Sequence, residues 1–171
     1  LPPALGLLRR HVLRRPHDLP TQGHRAVALH LLGQPEIGYV GFAGFGRHQG
    51  WNDGTEEMTA EYENNMANFI KDVRKDLKAK DMPFVISMTG MIGLKETGVR
   101  AKLCEIQMAM GDPKKHPEFK GTVASVETRS FKRDTPSKFG YHWNHSGESH
   151  YLIGDAMGKA MVNLLKEASR K

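Results

Sequence analysis

The chain has 171 residues, 39% of them hydrophobic, which is enough for one domain to bury roughly two-thirds of its unfolded surface without a covalent staple. Its one cysteine, Cys104, excludes an intrachain disulfide and a Cys-x-x-Cys redox or zinc pair, and its apolar helical surroundings favour a buried structural thiol. The net charge of +6 is modest, is concentrated in Arg9, Arg10, Arg14, Arg15, Lys114, Lys115 and Lys120, and comes with no aromatic-plus-basic module, so it reads as a solvated surface with no nucleic-acid partner expected.

Residues 1–17, LPPALGLLRRHVLRRPH, read as an atypical basic arm. Its apolar run from Ala4 to Leu8 is too short to span a bilayer, and its charges follow that run, whereas a signal peptide places them before it. Residues 18–37 contain an apolar patch, Ala26 to Leu32, between turn-rich flanks. Gly38 to Phe45 mixes small and apolar residues and predicts a central strand; the polar, glycine-rich run from Gly46 to Gly54 predicts a loop at its carboxyl end. Function in open α/β sheets collects at that edge.

Tyr62, Met66, Phe69, Ile70, Val73 and Leu77 recur at helical spacing and predict a helix over about residues 59–79. Pro83 introduces a buried strand, Phe84 to Met88. Val99, Leu103, Ile106 and Met110 predict a helix over 98–111, stopped by Gly111-Asp112-Pro113. Gly121 to Thr128 is a third strand, and Ile153, Met157, Ala160, Met161, Leu164 and Leu165 predict a last helix over about 148–168. The alternation predicts an α/β domain over 18–171, three-layer α/β/α with a mostly parallel sheet. Three strands are few for that architecture, which points to strands missing upstream or to one supplied by residues 18–37.

Two loops concentrate proton-handling groups. In the first, Arg47 to Gly54, the backbone N–H of Gly50 and the side-chain amide of Asn52 could converge on a developing oxyanion. A tight Asn-Asp-Gly turn with Trp51 packed beneath it explains the same residues equally well. In the second, Tyr141 to His150, His142 and His145 are candidate general bases; Glu148, Asp134 and Glu127 are candidate orienting carboxylates among which spacing does not choose. A His-x-x-His pair can ligate zinc, but the His-Glu-x-x-His pattern is absent, and no metal or cofactor is expected.

Gly44-Phe45 followed by His48-Gln49-Gly50-Trp51-Asn52-Asp53 resembles the block III region of sialate O-acetylesterase and acetylxylan esterase relatives in the SGNH hydrolase superfamily, close to carbohydrate esterase family six. Glu61-Tyr62 through Arg74, Pro83-Phe84-Val85-Ile86, Gly121-Thr122-Val123, and Gly140-Tyr141-His142-Trp143-Asn144 with Tyr151 through Gly158 are similar in the same order, so the resemblance covers about residues 38–165. It implies an SGNH/flavodoxin-like fold, present here as a partial domain, and hydrolysis of an O-acetyl ester on a carbohydrate by a serine nucleophile with a histidine base. Carried across, Gly50 and Asn52 become oxyanion-hole elements and His142 the base with His145 as the alternative; the orienting carboxylate is not carried across, and Glu148 stays a candidate for it. Gln49, Trp51, Asp53 and Trp143 become pocket residues.

The chain also departs from that pattern. No Gly-Gln-Ser-Asn block occurs; Gly33-Gln34-Pro35 has proline in the serine's place, and Ser125, Ser130, Ser137, Ser146 and Ser149 lie in the wrong order. Asp-x-x-His is absent, with Phe139 three residues before His142, and Arg47 stands where relatives carry tryptophan. The expectation is therefore an esterase-like domain without its nucleophile in these residues, acting on acetylated carbohydrate and, by family, exported. The alternative is a noncatalytic carbohydrate-binding or interaction protein in which Trp51 and Trp143 stack on sugar rings, unless they are packing residues.

Overall fold

The computed structural model describes residues 42–137 and 140–170. The arm at 1–17, the patch at 26–32 and residues 38–41 of the expected first strand lie outside the described residues. Strands β1 (Phe45–His48), β2 (Phe84–Ser87) and β3 (Val123–Val126) form one parallel sheet in the order β1-β2-β3. They alternate with helices α1 (Glu56–Asp76), α2 (Gly98–Ala109) and α3 (Gly147–Ala168), giving the predicted three-layer α/β/α arrangement.

The helices start and stop where local chemistry dictates. Thr55 caps α1, its hydroxyl accepting from the Met58 N–H, so the helix begins three residues before the predicted start at residue 59. Glu56 and Glu57 in its first turn and Arg74 and Lys75 in its last complement the helix dipole. Lys78 turns left-handed at φ 53°, which ends α1 short of the predicted Ala79. Ser146 caps α3 by accepting from the Ser149 N–H at 3.1 Å.

The strand register separates two faces. Phe45, Phe84 and Val123 stand in one row, with Arg47, Ile86 and Ser125 two residues on. This face meets α1 and α2, where Tyr62, Met66, Ile70, Leu103 and Met110 complete the core. Phe45 stacks on Phe84 with ring centres 4.8 Å apart, and Phe69 meets both edge-on. Each fully buried large side chain here stabilises the fold by roughly 1.5–3 kcal/mol. The opposite face carries Gly46, His48, Val85 and Ser87 and is covered by α3, whose Met157 and Met161 press against Gly46 and Gly44, where side chains would not fit without displacement.

One expectation is corrected. β1 begins at Phe45, where the predicted strand was to end, and Arg47 and His48, predicted in the loop, are its last residues. Two polar side chains are tolerated there because each is satisfied by a neighbouring element: Arg47 donates to the Tyr62 hydroxyl of α1 at 2.7 Å, and His48 meets Ser87 of β2 at 2.5 Å. On the far side Arg74 is buried and donates to the carbonyls of Met82 and Thr122, tying the end of α1 to the entries of β2 and β3. No helix among the described residues is long and apolar enough to cross a membrane.

Candidate functional site

Because the strands are parallel, the segments that follow β1 and β2 leave from one edge of the sheet. The first loop leaves β1 at Gln49 and closes into a tight 3-10 turn over Trp51–Asp53, with Asp53 N–H donating to the Gly50 carbonyl at 2.9 Å. The turn anticipated from Asn-Asp-Gly is therefore present. Gly50 is required twice: its φ is 148°, and a β-carbon would collide with the Gln107 side-chain amide and crowd Thr89 Oγ1 at 3.1 Å.

A buried polar network braces this loop from behind. Gln107 donates to the Tyr62 hydroxyl at 3.0 Å and to the Gln49 carbonyl at 3.3 Å, and accepts from the Thr89 N–H at 2.9 Å. Arg47 donates to the Tyr62 hydroxyl, to the Gln49 carbonyl and, at 2.9 Å, to Gln49 Oε1, so the Gln49 side chain is drawn inward. Burial raises the pKa of Tyr62, keeping the phenol protonated. Asp53 is buried, Asn52 is exposed, and half-buried Trp51 carries the Arg100 guanidinium 4.1 Å above its ring centre. The structure thus fixes the Gly50 backbone and leaves the Asn52 amide at the surface.

The second loop is conformationally unusual. His142, Trp143, Asn144 and His145 have φ values of 51°, 52°, 52° and 58°, four consecutive left-handed residues without glycine. Such a run costs about 1–2 kcal/mol per residue and needs external support. Thr135 Oγ1 donates to the Asn144 carbonyl at 2.6 Å, Asn144 Nδ2 donates to the Arg133 carbonyl at 3.2 Å, and the His142 N–H contacts Met91 Sδ beyond β2. His142 and His145 are exposed with ring centres 6.0 Å apart. Glu148, considered as the orienting carboxylate, is turned to Arg133, with 2.7 Å between its Oε1 and the guanidinium Nε.

Trp143 is fully buried, which corrects its assignment as a sugar platform: the packing alternative holds in this arrangement. Its indole stacks beside His48, ring centres 6.0 Å apart, and its Nε1–H donates to His48 Nε2 at 3.1 Å. An indole N–H can only donate, so His48 Nε2 must be the acceptor and the neutral ring carries its proton on Nδ1. That Nδ1–H donates to Ser87 Oγ at 2.5 Å, and the Ser87 hydroxyl in turn donates to the Arg47 carbonyl at 3.3 Å. Burial, with His150 nearby, lowers the His48 pKa to about 4, so the ring is neutral near pH 7.

The His48–Ser87 contact looks like a catalytic pair but has the wrong polarity. A base must accept the serine proton, and His48 offers Ser87 a donor. Ser87 is thereby a structural acceptor. Its pairing follows from the register His48↔Ser87, which becomes visible only when β1 is extended to His48. Gln107, Tyr62 and Thr89 likewise carry no motif that marks them as supports of the loop.

Among the described residues, no group of three or more His, Cys, Asp or Glu side chains is arranged to hold a metal ion. Cys104 is buried and its thiol is pushed up to about 12, mainly by burial, which makes it unreactive near neutrality. A cleft of about 600 Å³ lies between α2 and β3, lined by Met88, Glu105, Ser125 and Arg129 among others, and neither loop contributes to it.

Residues 42–163 match the family described as carbohydrate esterase, sialic acid-specific acetylesterase, a span that includes both loops and all three strands. No curated protein and no solved structure matches the chain.

Proposed function

The chain belongs to the carbohydrate esterase, sialic acid-specific acetylesterase family, and from that premise we propose that its two loops form the reaction centre of a carbohydrate O-acetyl ester hydrolase. The observation that carries this reading is the hydrogen bond from Trp143 to His48, which brings the His142–His145 turn to the carboxyl end of the strand leading into Gly50. In this reading the Gly50 N–H and the Asn52 amide stabilise the oxyanion formed on the acetyl carbonyl. His142, with His145 as the alternative, takes the proton of the attacking serine and returns it to the departing sugar hydroxyl; water then releases acetate from the acyl-enzyme. Trp51 shapes the pocket wall, and Gln49, drawn inward by Arg47, and the buried Asp53 brace it. With Glu148 held by Arg133, it could orient the base only after exchanging that partner.

No Gly-Gln-Ser-Asn block occurs in the 171 residues, and Ser87 faces a histidine donor, so we expect these residues alone to release acetate weakly or not at all. The same observation favours, as a second reading, a carbohydrate-binding protein on an esterase scaffold. The two readings separate in one experiment on O-acetylated oligosaccharides, with binding and acetate release measured together. Binding without release supports the second reading. Substantial release that His142→Ala abolishes supports hydrolysis and overturns the expectation of an inactive chain.

A further inference from the structure

We propose that His48 is a positioning residue for this reaction centre: the lone pair on its Nε2 holds Trp143, and through Trp143 the left-handed turn bearing His142 and His145, at the carboxyl end of β1. The inference rests on the reading that the two loops form one site. It goes beyond that reading by assigning a role to a histidine that neither donates to substrate nor moves a catalytic proton.

The turn is strained and persists only because surrounding contacts over-determine it. Thr135, Arg133 and Met91 tether it to neighbouring connections. His48 ties it to the sheet itself, two residues before Gly50. The side chain at 48 must accept from an indole on one side and donate to Ser87 Oγ on the other. Neutral imidazole in its Nδ1–H form does both, while imidazolium would present a second donor to the Trp143 N–H. Burial keeps the accepting form at neutral pH. The two ring planes lie within 29° of each other, so packing and hydrogen bond fix the indole together. Since acid–base groups must be held within a fraction of an ångström of their working geometry, loosening this latch should disperse His142 and His145 without unfolding the sheet.

Nuclear magnetic resonance of isotope-labelled protein tests the proposal. In the parent chain His48 should be the Nδ1–H tautomer and the Trp143 indole proton should exchange slowly with solvent. His48→Leu should accelerate that exchange by about five- to tenfold, the loss of one ordinary hydrogen bond, and shift the ring resonances of His142 and His145. His48→Gln, which can accept from Trp143 and donate to Ser87, should restore both. If His48→Leu does not fold, Trp143→Phe removes the donor while keeping a buried ring, and should shift the His142 and His145 resonances in the same way. Where turnover is measurable, His48→Leu should lower kcat with KM unchanged, and His48→Gln should recover it. An Nε2–H tautomer at His48, or unmoved His142 and His145 resonances in the folded variants, would overturn the proposal. Absence of acetate release in every variant counts against the esterase reading alone, because the resonance measurements do not depend on turnover.

Discussion

Gln107 on α2 and Tyr62 on α1 meet through a 3.0 Å hydrogen bond directly behind the Gly50 loop, and Arg47 of β1 donates to the same hydroxyl from the other side. One phenol oxygen thus joins two helices and a strand in the place where the backbone must be rigid. Tyr62→Phe keeps the ring in the core and removes the shared acceptor. We expect it to destabilise the fold by about 1–3 kcal/mol, the cost of leaving buried donors underused. Equilibrium unfolding in urea measures this, and a loss under 0.5 kcal/mol, on the order of a neutral surface change, would show that the network is dispensable.

Gly50→Ala should cost more. The new methyl enters the space held by Gln107 and Thr89, and the φ of 148° is unfavourable for any residue with a β-carbon. About 2–3 kcal/mol of destabilisation is expected from overpacking and strain combined. Acetate release, where it is measurable, should fall as well even under conditions where the variant remains folded, because the backbone N–H proposed for the oxyanion can no longer keep its place. Unchanged thermal stability would refute the steric argument.

The layers of this fold are legible in the sequence because the signals that make them are local. Tyr62, Met66 and Ile70 mark the buried side of α1, and Phe84 to Ser87 is apolar enough to read as a strand with both faces covered. β1 is different. Its Gly-Arg-His residues look like a loop because the groups that satisfy the polar ones are distant in the chain: Tyr62 is 15 residues from Arg47, while Ser87 and Trp143 are 39 and 95 residues from His48. The left-handed turn is equally hidden: Asn144 and the two histidines each adopt that conformation more readily than most residues, but a run of four that includes Trp143 depends on tethers from residues distant in the chain. The concentration of proton-handling residues marks both loops in the sequence; it does not reveal that Trp143 is spent internally or that Glu148 is engaged by Arg133.

The two exposed histidines can be separated by substitution. If His142 is the base, His142→Ala should remove nearly all acetate release while His145→Ala leaves most of it, with a loss of about 10²–10⁴-fold for the essential ring. Both side chains are exposed but both residues have positive φ, so urea unfolding is measured alongside and the comparison is made where both variants are folded. If release is undetectable in the parent chain, the same pair is compared by sugar affinity. Equal effects from the two variants would remove the preference for His142.

Acid should draw down the stability of the fold through His48 in a defined window, while the folded ring goes on accepting from Trp143. His48 titrates at about 4 in the fold against 6.5 as a free side chain, so below 6.5 the unfolded chain takes up a proton that the folded chain refuses. Its contribution to stability is therefore complete above pH 6.5, declines as pH falls from 6.5 to 4, and is flat below that. The difference amounts to up to about 3 kcal/mol. Carboxylates add their own acid dependence, so the informative quantity is the difference between parent and His48→Gln, which lacks the titrating ring. Urea unfolding at pH 4.5 and at pH 7, values on the order of the two ends of this window, should show a smaller loss in His48→Gln than in the parent. Equal losses would mean that His48 takes up its proton in the folded chain over the same pH range as in the unfolded one, which is incompatible with a buried ring held as the acceptor for Trp143.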